Sequence, residues 1–224
     1  MLLSRFVEKR QKPSCMIVCG ARGAGKDVTA HQIARIIHFK TGKPVYININ
    51  PKKYKLPKYF KRHRGIFKND SVLYLTDVGL EYYYTEWGTD KAKAIVQLMN
   101  ICRHKNIDLI WTTPLAADVP LATIKKMDAT VYKEPIFRAE KFERYALREE
   151  VEEARLEFQG KTKKQKLETA VAFTQYGKYI ITDITIPPYW TDELSRAHVA
   201  YGLDSHVAIK IKKVNPPKNR GIKK

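Results

Sequence analysis

The stretch Gly20-Ala21-Arg22-Gly23-Ala24-Gly25-Lys26-Asp27 constrains this chain more than any other. It follows an apolar run, Cys15-Met16-Ile17-Val18-Cys19, and opens a helix-like segment over 27–40 that Thr41-Gly42 and Pro44 stop. A buried strand, a glycine-rich turn and a helix in that order place the turn at the carboxyl edge of an α/β sheet. Glycines let consecutive backbone N–H groups turn inward around a β-phosphate, and the helix N-terminus adds partial positive charge. Lys26 can then reach the β- and γ-phosphate oxygens as a point charge. The expected contacts with ATP run through Gly20, Ala21, Arg22, Gly23, Ala24, Gly25, Lys26, Asp27 and Val28.

One position departs from the usual pattern. A hydroxyl residue that binds Mg²⁺ normally follows the lysine; here Asp27 stands there, with Thr29 two places on. A carboxylate is a good Mg²⁺ ligand, so Asp27 holds the ion directly or through water, or else serves only as a first-turn acid favoured by the helix dipole. The second half of such a site is an acid at the end of an apolar strand, and Val72-Leu73-Tyr74-Leu75-Thr76-Asp77 has that form. Asp77 is expected to meet Mg²⁺ beside the phosphate loop. The next residue, where a water-polarising glutamate is usual, is Val78; Glu81, about one helical turn on, is the substitute candidate. Trp111-Thr112-Thr113-Pro114 ends another strand, so Thr112 or Thr113 is a candidate γ-phosphate sensor. Arg103 closes the helix before that strand. It either satisfies the helix C-terminal dipole or is an arginine finger offered to a neighbouring subunit, with Arg64 and Arg138 as competitors.

Strands are expected at 15–19, 45–49, 71–76, 107–112 and 128–132, with helices at 27–40 and 90–105 between them. That alternation predicts an α/β, three-layer fold: a mostly parallel central sheet flanked by helices. Residues 138–159 alternate acid and base at a helical period and read as a solvated helix. A hairpin around Tyr176-Gly177-Lys178 and a last helix over 191–200 complete a C-terminal extension. The domain expectation is one ATPase domain over 1–209, its core at 14–135 and its extension at 136–209, then a basic tail over 210–224 that is not expected to fold.

Charge now becomes informative. Lys plus Arg exceeds Asp plus Glu by 42 − 23 = 19, a balance that points to a polyanionic partner, most simply nucleic acid. The bias is concentrated in Lys52, Lys53, Lys55, Lys58, Lys61, Arg62, Arg64 and Lys68, a run with no acid and with Tyr54, Tyr59, Phe60 and Phe67 interleaved. Cations neutralise phosphates and aromatic rings stack on bases. With no groove-reading motif, the expected contact is with the phosphate backbone of a polynucleotide, independent of sequence. Three cysteines without C-x-x-C spacing give neither a zinc site nor a disulfide framework, and Cys15 and Cys19 read as core residues. No run is long enough for a signal peptide or a bilayer span, so the expected location is the cytoplasm, in soluble form.

The motifs together resemble the FtsK/HerA superfamily of P-loop ATPases, most closely the genome-packaging ATPases of archaeal viruses, with zonula occludens toxin-like proteins nearby. The likeness rests on Gly20–Lys26, on 72–83, on the run from Arg103-His104-Lys105-Asn106-Ile107-Asp108 to Thr113, and on Tyr132-Lys133-Glu134-Pro135, with a fainter echo at Pro187-Pro188-Tyr189-Trp190-Thr191. It implies a P-loop NTPase fold and a homo-oligomeric ring, pentamer or hexamer, around duplex DNA. It also implies ATP at subunit borders, an arginine supplied in trans, and a capsid or portal partner. Two positions depart from the family pattern: Pro114 stands where the family has glutamine, and Val78 where it has glutamate. The rival readings are a P-loop nucleotide or metabolite kinase, because Lys26-Asp27-Val28-Thr29-Ala30 suits one, and a DNA-binding assembly protein with a weak ATP site.

Overall fold

The computed structural model describes residues 1–10, 12–63, 68–76, 97, 99–119, 121–135, 141 and 143–197. In chain order the elements are α1 (Leu3–Lys9), β1 (Cys15–Cys19), α2 (Lys26–Thr41), β2 (Val45–Ile47), β3 (Phe60–Arg62), β4 (Ser71–Leu75), β5 (Ile107–Thr113), α3 (Leu121–Ile124), β6 (Ala129–Tyr132), α4 (Tyr145–Phe158), α5 (Lys163–Glu168), β7 (Ala170–Thr174) and β8 (Gly177–Ile181). Helical turns also cover 99–104 and 192–197. Among the described residues no helix is long and apolar enough to cross a membrane.

Every residue of β1, β4, β5 and β6 is buried. Strands apolar on both faces belong in the middle of a sheet covered by helices on each side, and these four sit together there. The eight-stranded order is β3-β2-β4-β5-β1-β6-β7-β8. The strands from β3 to β6 pair in parallel, while β7 and β8 turn back antiparallel. The expected α/β three-layer architecture is therefore the observed one. Leu3, Phe6 and Val7 of α1 and Ala30, Ile33, Ala34 and Ile37 of α2 pack on one face. Met99, Cys102 and the α4 residues Leu147, Val151, Ala154 and Phe158 cover the other.

Three expectations change. Helix α4 is not simply solvated: its charges face out, but its i, i+4, i+7, i+11 apolar positions are core, each worth about 1–3 kcal/mol of burial. The lysine-rich run holds a strand, β3, on one rim of the sheet among the described residues. Phe60 is buried there while Lys61 and Arg62 face solvent. Strand β2 ends at Ile47 rather than Ile49.

The amino edge of the sheet is closed by charge. Buried Asp108, at the start of β5, accepts from Arg10 Nη2 (3.0 Å), Lys43 Nζ (2.7 Å) and the Ser14 backbone N–H (3.1 Å). Asp128, just before β6, accepts from the Cys15 backbone N–H (2.7 Å) through one oxygen and from Arg103 Nη2 (3.0 Å) through the other. The expectations placed on 198–224, including the basic tail, lie outside the described residues.

Candidate phosphate-loop site

Parallel strands end at one edge, and the loops there build the site. The backbone leaves β1 at Gly20, whose N–H donates to the Thr113 carbonyl (3.3 Å). A Cβ at position 20 would lie 2.7 Å from Lys133 Cβ, so only glycine lets the loop pass this close to the end of β6. Gly25, with φ +88°, then takes the left-handed turn that starts α2. The result is a glycine turn that runs straight into the N-terminus of α2, with Lys26 as its first residue, the order of elements a polyphosphate needs.

Asp27 ties this loop to the middle of the sheet. Lys26 Nζ donates to its Oδ2 (3.0 Å), while Thr112 Oγ1 (2.9 Å) and the buried Tyr74 hydroxyl (3.4 Å) donate to its Oδ1. Tyr74 belongs to β4 and Thr112 to β5, so one carboxylate joins the phosphate loop to the two strands whose ends the sequence marked. Thr29 supplies no substitute for the missing hydroxyl ligand, because its Oγ1 donates back to Gly25 O (3.0 Å). Side chains alternate along β5, so Thr113 faces the opposite layer. Its hydroxyl donates to Leu115 O (3.0 Å), and Asp118 lies 3.4 Å away. Burial pushes the Asp118, Glu143 and Glu150 carboxyls up on that side. Of the two candidate sensors, Thr112 is the one turned toward the phosphate loop.

Asp77, Val78 and Glu81 lie outside the described residues, as do Arg64 and Arg138. Strand β4 runs to Leu75 at the same edge as the loop, and Thr76 is fixed there by Asn48. The Asn48 Oδ1 accepts from Thr76 N–H (3.2 Å) and its amide donates to Thr76 O (3.3 Å). One strand, β5, separates β4 from β1. Arg103 sits at the other edge of the sheet in its pair with Asp128 and does not approach the phosphate loop of its own chain.

Lys133, noted in the sequence only as part of a short motif, is the residue that shapes the far wall. It is fully buried, and its Nζ donates to the carbonyls of Lys166 (3.2 Å), Leu167 (2.8 Å) and Thr169. Burial pushes its pKa down to about 7. These bonds hold the C-terminal end of α5 against the loop: a Cβ on Gly25 would lie 3.5 Å from Leu167 Cδ2 and 3.6 Å from Lys133 Cε. Two clefts open beside the loop. One, of about 540 Å³, is bordered by Arg22, Gly23, Glu134, Lys163 and Lys166. The other, of about 470 Å³, is bordered by Gly25, Lys26, Asp27 and Val28 on one side and Leu167, Ile184, Ile186 and Trp190 on the other.

Lys52, Lys53, Lys55, Lys58, Lys61, Arg62 and Lys68 are all exposed. Of the aromatic residues between them, Tyr54, Tyr59 and Phe60 are not free to stack on bases, which corrects the expectation for these three; Phe67 lies outside the described residues. Tyr59 stacks on His38 with centroids 4.2 Å apart, Phe60 is buried, and Tyr54 packs against the core. The rings anchor the segment and the cations project from it.

No family model matches this chain, and no curated protein matches it in sequence. Solved structures do match. The DNA-packaging ATPase B204 of Sulfolobus Turreted Icosahedral Virus is 15% identical, with a TM-score of 0.56 over 78% of this chain and 99% of that one. The genome packaging NTPase B204 of Sulfolobus turreted icosahedral virus 2, in complex with AMPPCP, is 12% identical, with a TM-score of 0.58 over 77% and 99%. The same NTPase in complex with ATP-gammaS gives 0.55 at 12% identity over 77% and 98%. At these identities the likeness is one of fold, and the shared fold matches the resemblance to FtsK/HerA-type P-loop ATPases drawn from the motifs.

Proposed function

We propose that this chain is an ATPase of the DNA-translocating type, coupling ATP hydrolysis to movement of double-stranded DNA, with viral genome packaging as its setting. The observation that carries the reading is the Asp27 junction, where Lys26 of the phosphate loop meets Thr112 and Tyr74 of the central strands on one carboxylate. Gly20 to Val28 would cradle the triphosphate, with Lys26 on the β- and γ-phosphates. Oxygen ligands suit Mg²⁺, and Asp27 and Asp77 would hold it; the bound ion would neutralise charge on the phosphates. Thr112 would hydrogen-bond the γ-phosphate or the attacking water, and Glu81 would polarise that water.

The likeness to packaging ATPases supports DNA as the partner, and the exposed cations from Lys52 to Lys68 give it a surface that grips phosphates rather than bases. In a ring of five or six copies, that surface would line the passage and an arginine would act in trans. Arg103 is the candidate for that arginine among the described residues, although it would first have to leave Asp128. A capsid or portal partner belongs to the same reading.

ATP turnover measured with and without linear duplex DNA tests this. Turnover should rise with duplex and vanish in Lys26→Ala. Stimulation by a nucleoside monophosphate instead would select the kinase reading, and binding of ATP and DNA without turnover would select the assembly protein.

A further inference from the structure

We propose that the amino edge of the sheet, remote from the phosphate loop, is a second polynucleotide surface: a row of lysines that grips the phosphate backbone of duplex DNA. The proposal rests on the reading of this chain as a DNA-handling protein, but most of its residues have no task in that reading. The strands from β3 to β6 are parallel, so their starts share one edge. Exposed lysines stand just before these starts: Lys58 before β3, Lys68 before β4, Lys105 before β5, Lys12 before β1, and Lys125 and Lys126 before β6. Before β2, Lys43 is instead turned inward onto Asp108 (2.7 Å). Strands set about 4.8 Å apart make the row from β3 to β6 roughly 24 Å long. Duplex DNA carries a phosphate about every 3.4 Å along each strand, so the row spans roughly seven of them. A single small anion cannot engage such a row; a linear polyanion can.

The acids of this edge are already taken. Asp108 is buried among Arg10, Lys43 and Ser14, and Asp128 holds Arg103 and the Cys15 N–H. Asp70 accepts from Asn106 Nδ2 (2.8 Å), and Glu8 is paired with Lys40. Among the described residues no carboxylate pairs with Lys12, Lys58, Lys68, Lys105 or Lys125. Like charges held side by side repel, so the row gains from a polyanion that neutralises it, and counterions released from the DNA add to the affinity. The turns that carry the row are fixed to one another. Asp70 N–H donates to Lys105 O (3.0 Å) and Asp128 N–H to Cys15 O (2.7 Å), while Lys126 Nζ reaches Asn100 Oδ1 (2.8 Å). Binding therefore orders lysine side chains but little backbone, which keeps its entropic cost down.

The test is the affinity of the full chain for a short linear duplex, without nucleotide, over a range of salt. Lys105→Ala/Lys125→Ala is the test variant. Lys163→Ala/Lys164→Ala, which removes the same charge from exposed positions on α5, is its control. Both side chains of the test variant are exposed, and the bonds to Ile101, Asp70 and Leu121 are made by backbone groups, so truncation leaves the turns intact. The test variant should flatten the slope of log affinity against log salt by roughly 0.9 per lost contact, about 1.8 in all. The control should leave it nearly unchanged. Equal flattening by both variants overturns the proposal, because net charge alone would then govern binding. An unchanged slope in the test variant overturns it as well, while leaving Lys52, Lys53 and Lys55 their role. Weaker binding of the test variant to phosphatidylserine vesicles, with duplex binding intact, assigns the row to a lipid surface and overturns it too. A wild type that does not bind duplex overturns DNA as the partner, and this surface with it.

Discussion

The two edges of the sheet carry carboxylates in opposite states. At the amino edge, Asp108 is sealed by Arg10, Lys43 and Ser14, and the cavity beside Arg10 and Asp128 holds only about 20 Å³. At the carboxyl edge, Asp27 shares its oxygens among Lys26, Thr112 and Tyr74 and borders a cleft of about 470 Å³. Similar ion pairs thus do different work: one end holds the strands together, the other fastens the phosphate loop to β4 and β5 beside a cleft. Position explains the difference. Connections at the amino edge are drawn in by α1 and by Lys43, whereas at the carboxyl edge the glycine turn and α5, which Lys133 holds against it, leave clefts open beside them.

The largest expected effect tests the sealed end. Asp108→Ala leaves two cations buried without an anion, and should cost about 3–5 kcal/mol in urea unfolding. Asp27→Ala, which leaves one buried cation rather than two without its anion, should cost less than that while Mg²⁺-dependent ATP binding drops; equal destabilisation by both variants would erase the contrast. Next comes Lys133. Burial holds the folded-state pKa of Lys133 at about 7 against an ordinary 10.5. Between those values the unfolded chain binds a proton that the folded chain has released, so this residue makes the fold more stable as pH rises from 7 toward 10.5. Lys133→Met removes that dependence. The melting temperature of wild type minus that of the variant should therefore climb steadily over the same range, and a flat difference would contradict a buried, depressed lysine.

A smaller effect distinguishes the two threonines. Thr112→Val should lower ATP turnover about tenfold, the worth of a hydrogen bond to a charged group. Thr113→Val should leave turnover nearly intact and cost about 1 kcal/mol of stability. The reverse pattern would return the sensor role to Thr113. The gentlest test concerns the basic rim. Replacing Lys52, Lys53 and Lys55 with alanine should flatten the slope of log DNA affinity against log salt by about one unit per lost phosphate contact; an unchanged slope would remove these lysines from the interface.

What the sequence disclosed follows from what each element needs. The central strands were legible because a strand buried on both faces must be a continuous apolar run, as at 15–19 and 107–113. The phosphate loop was legible because its chemistry is local: spacing alone places the glycines and Lys26. Short elements were not. Helix α1 has only seven residues, and α5, Lys-Lys-Gln-Lys-Leu-Glu, buries no residue and is set by the Thr162–Gln165 capping box and by Lys133. Strand β3 has one buried residue and takes its pairing from β2. The site's longest-range parts were hidden for the same reason. Nothing local to Tyr74 or Thr112 says that Asp27 will lie opposite; chain topology decides that.

Strand β3 has a further effect. A sheet rim invites another strand to zip onto it, and copies crowded together at high concentration are the nearest supply. Because Lys61 and Arg62 stand on that rim, an approaching duplicate would bring matching cations face to face and be turned away. The same residues that make the surface adhesive to polyanions therefore guard it against fibrous self-association.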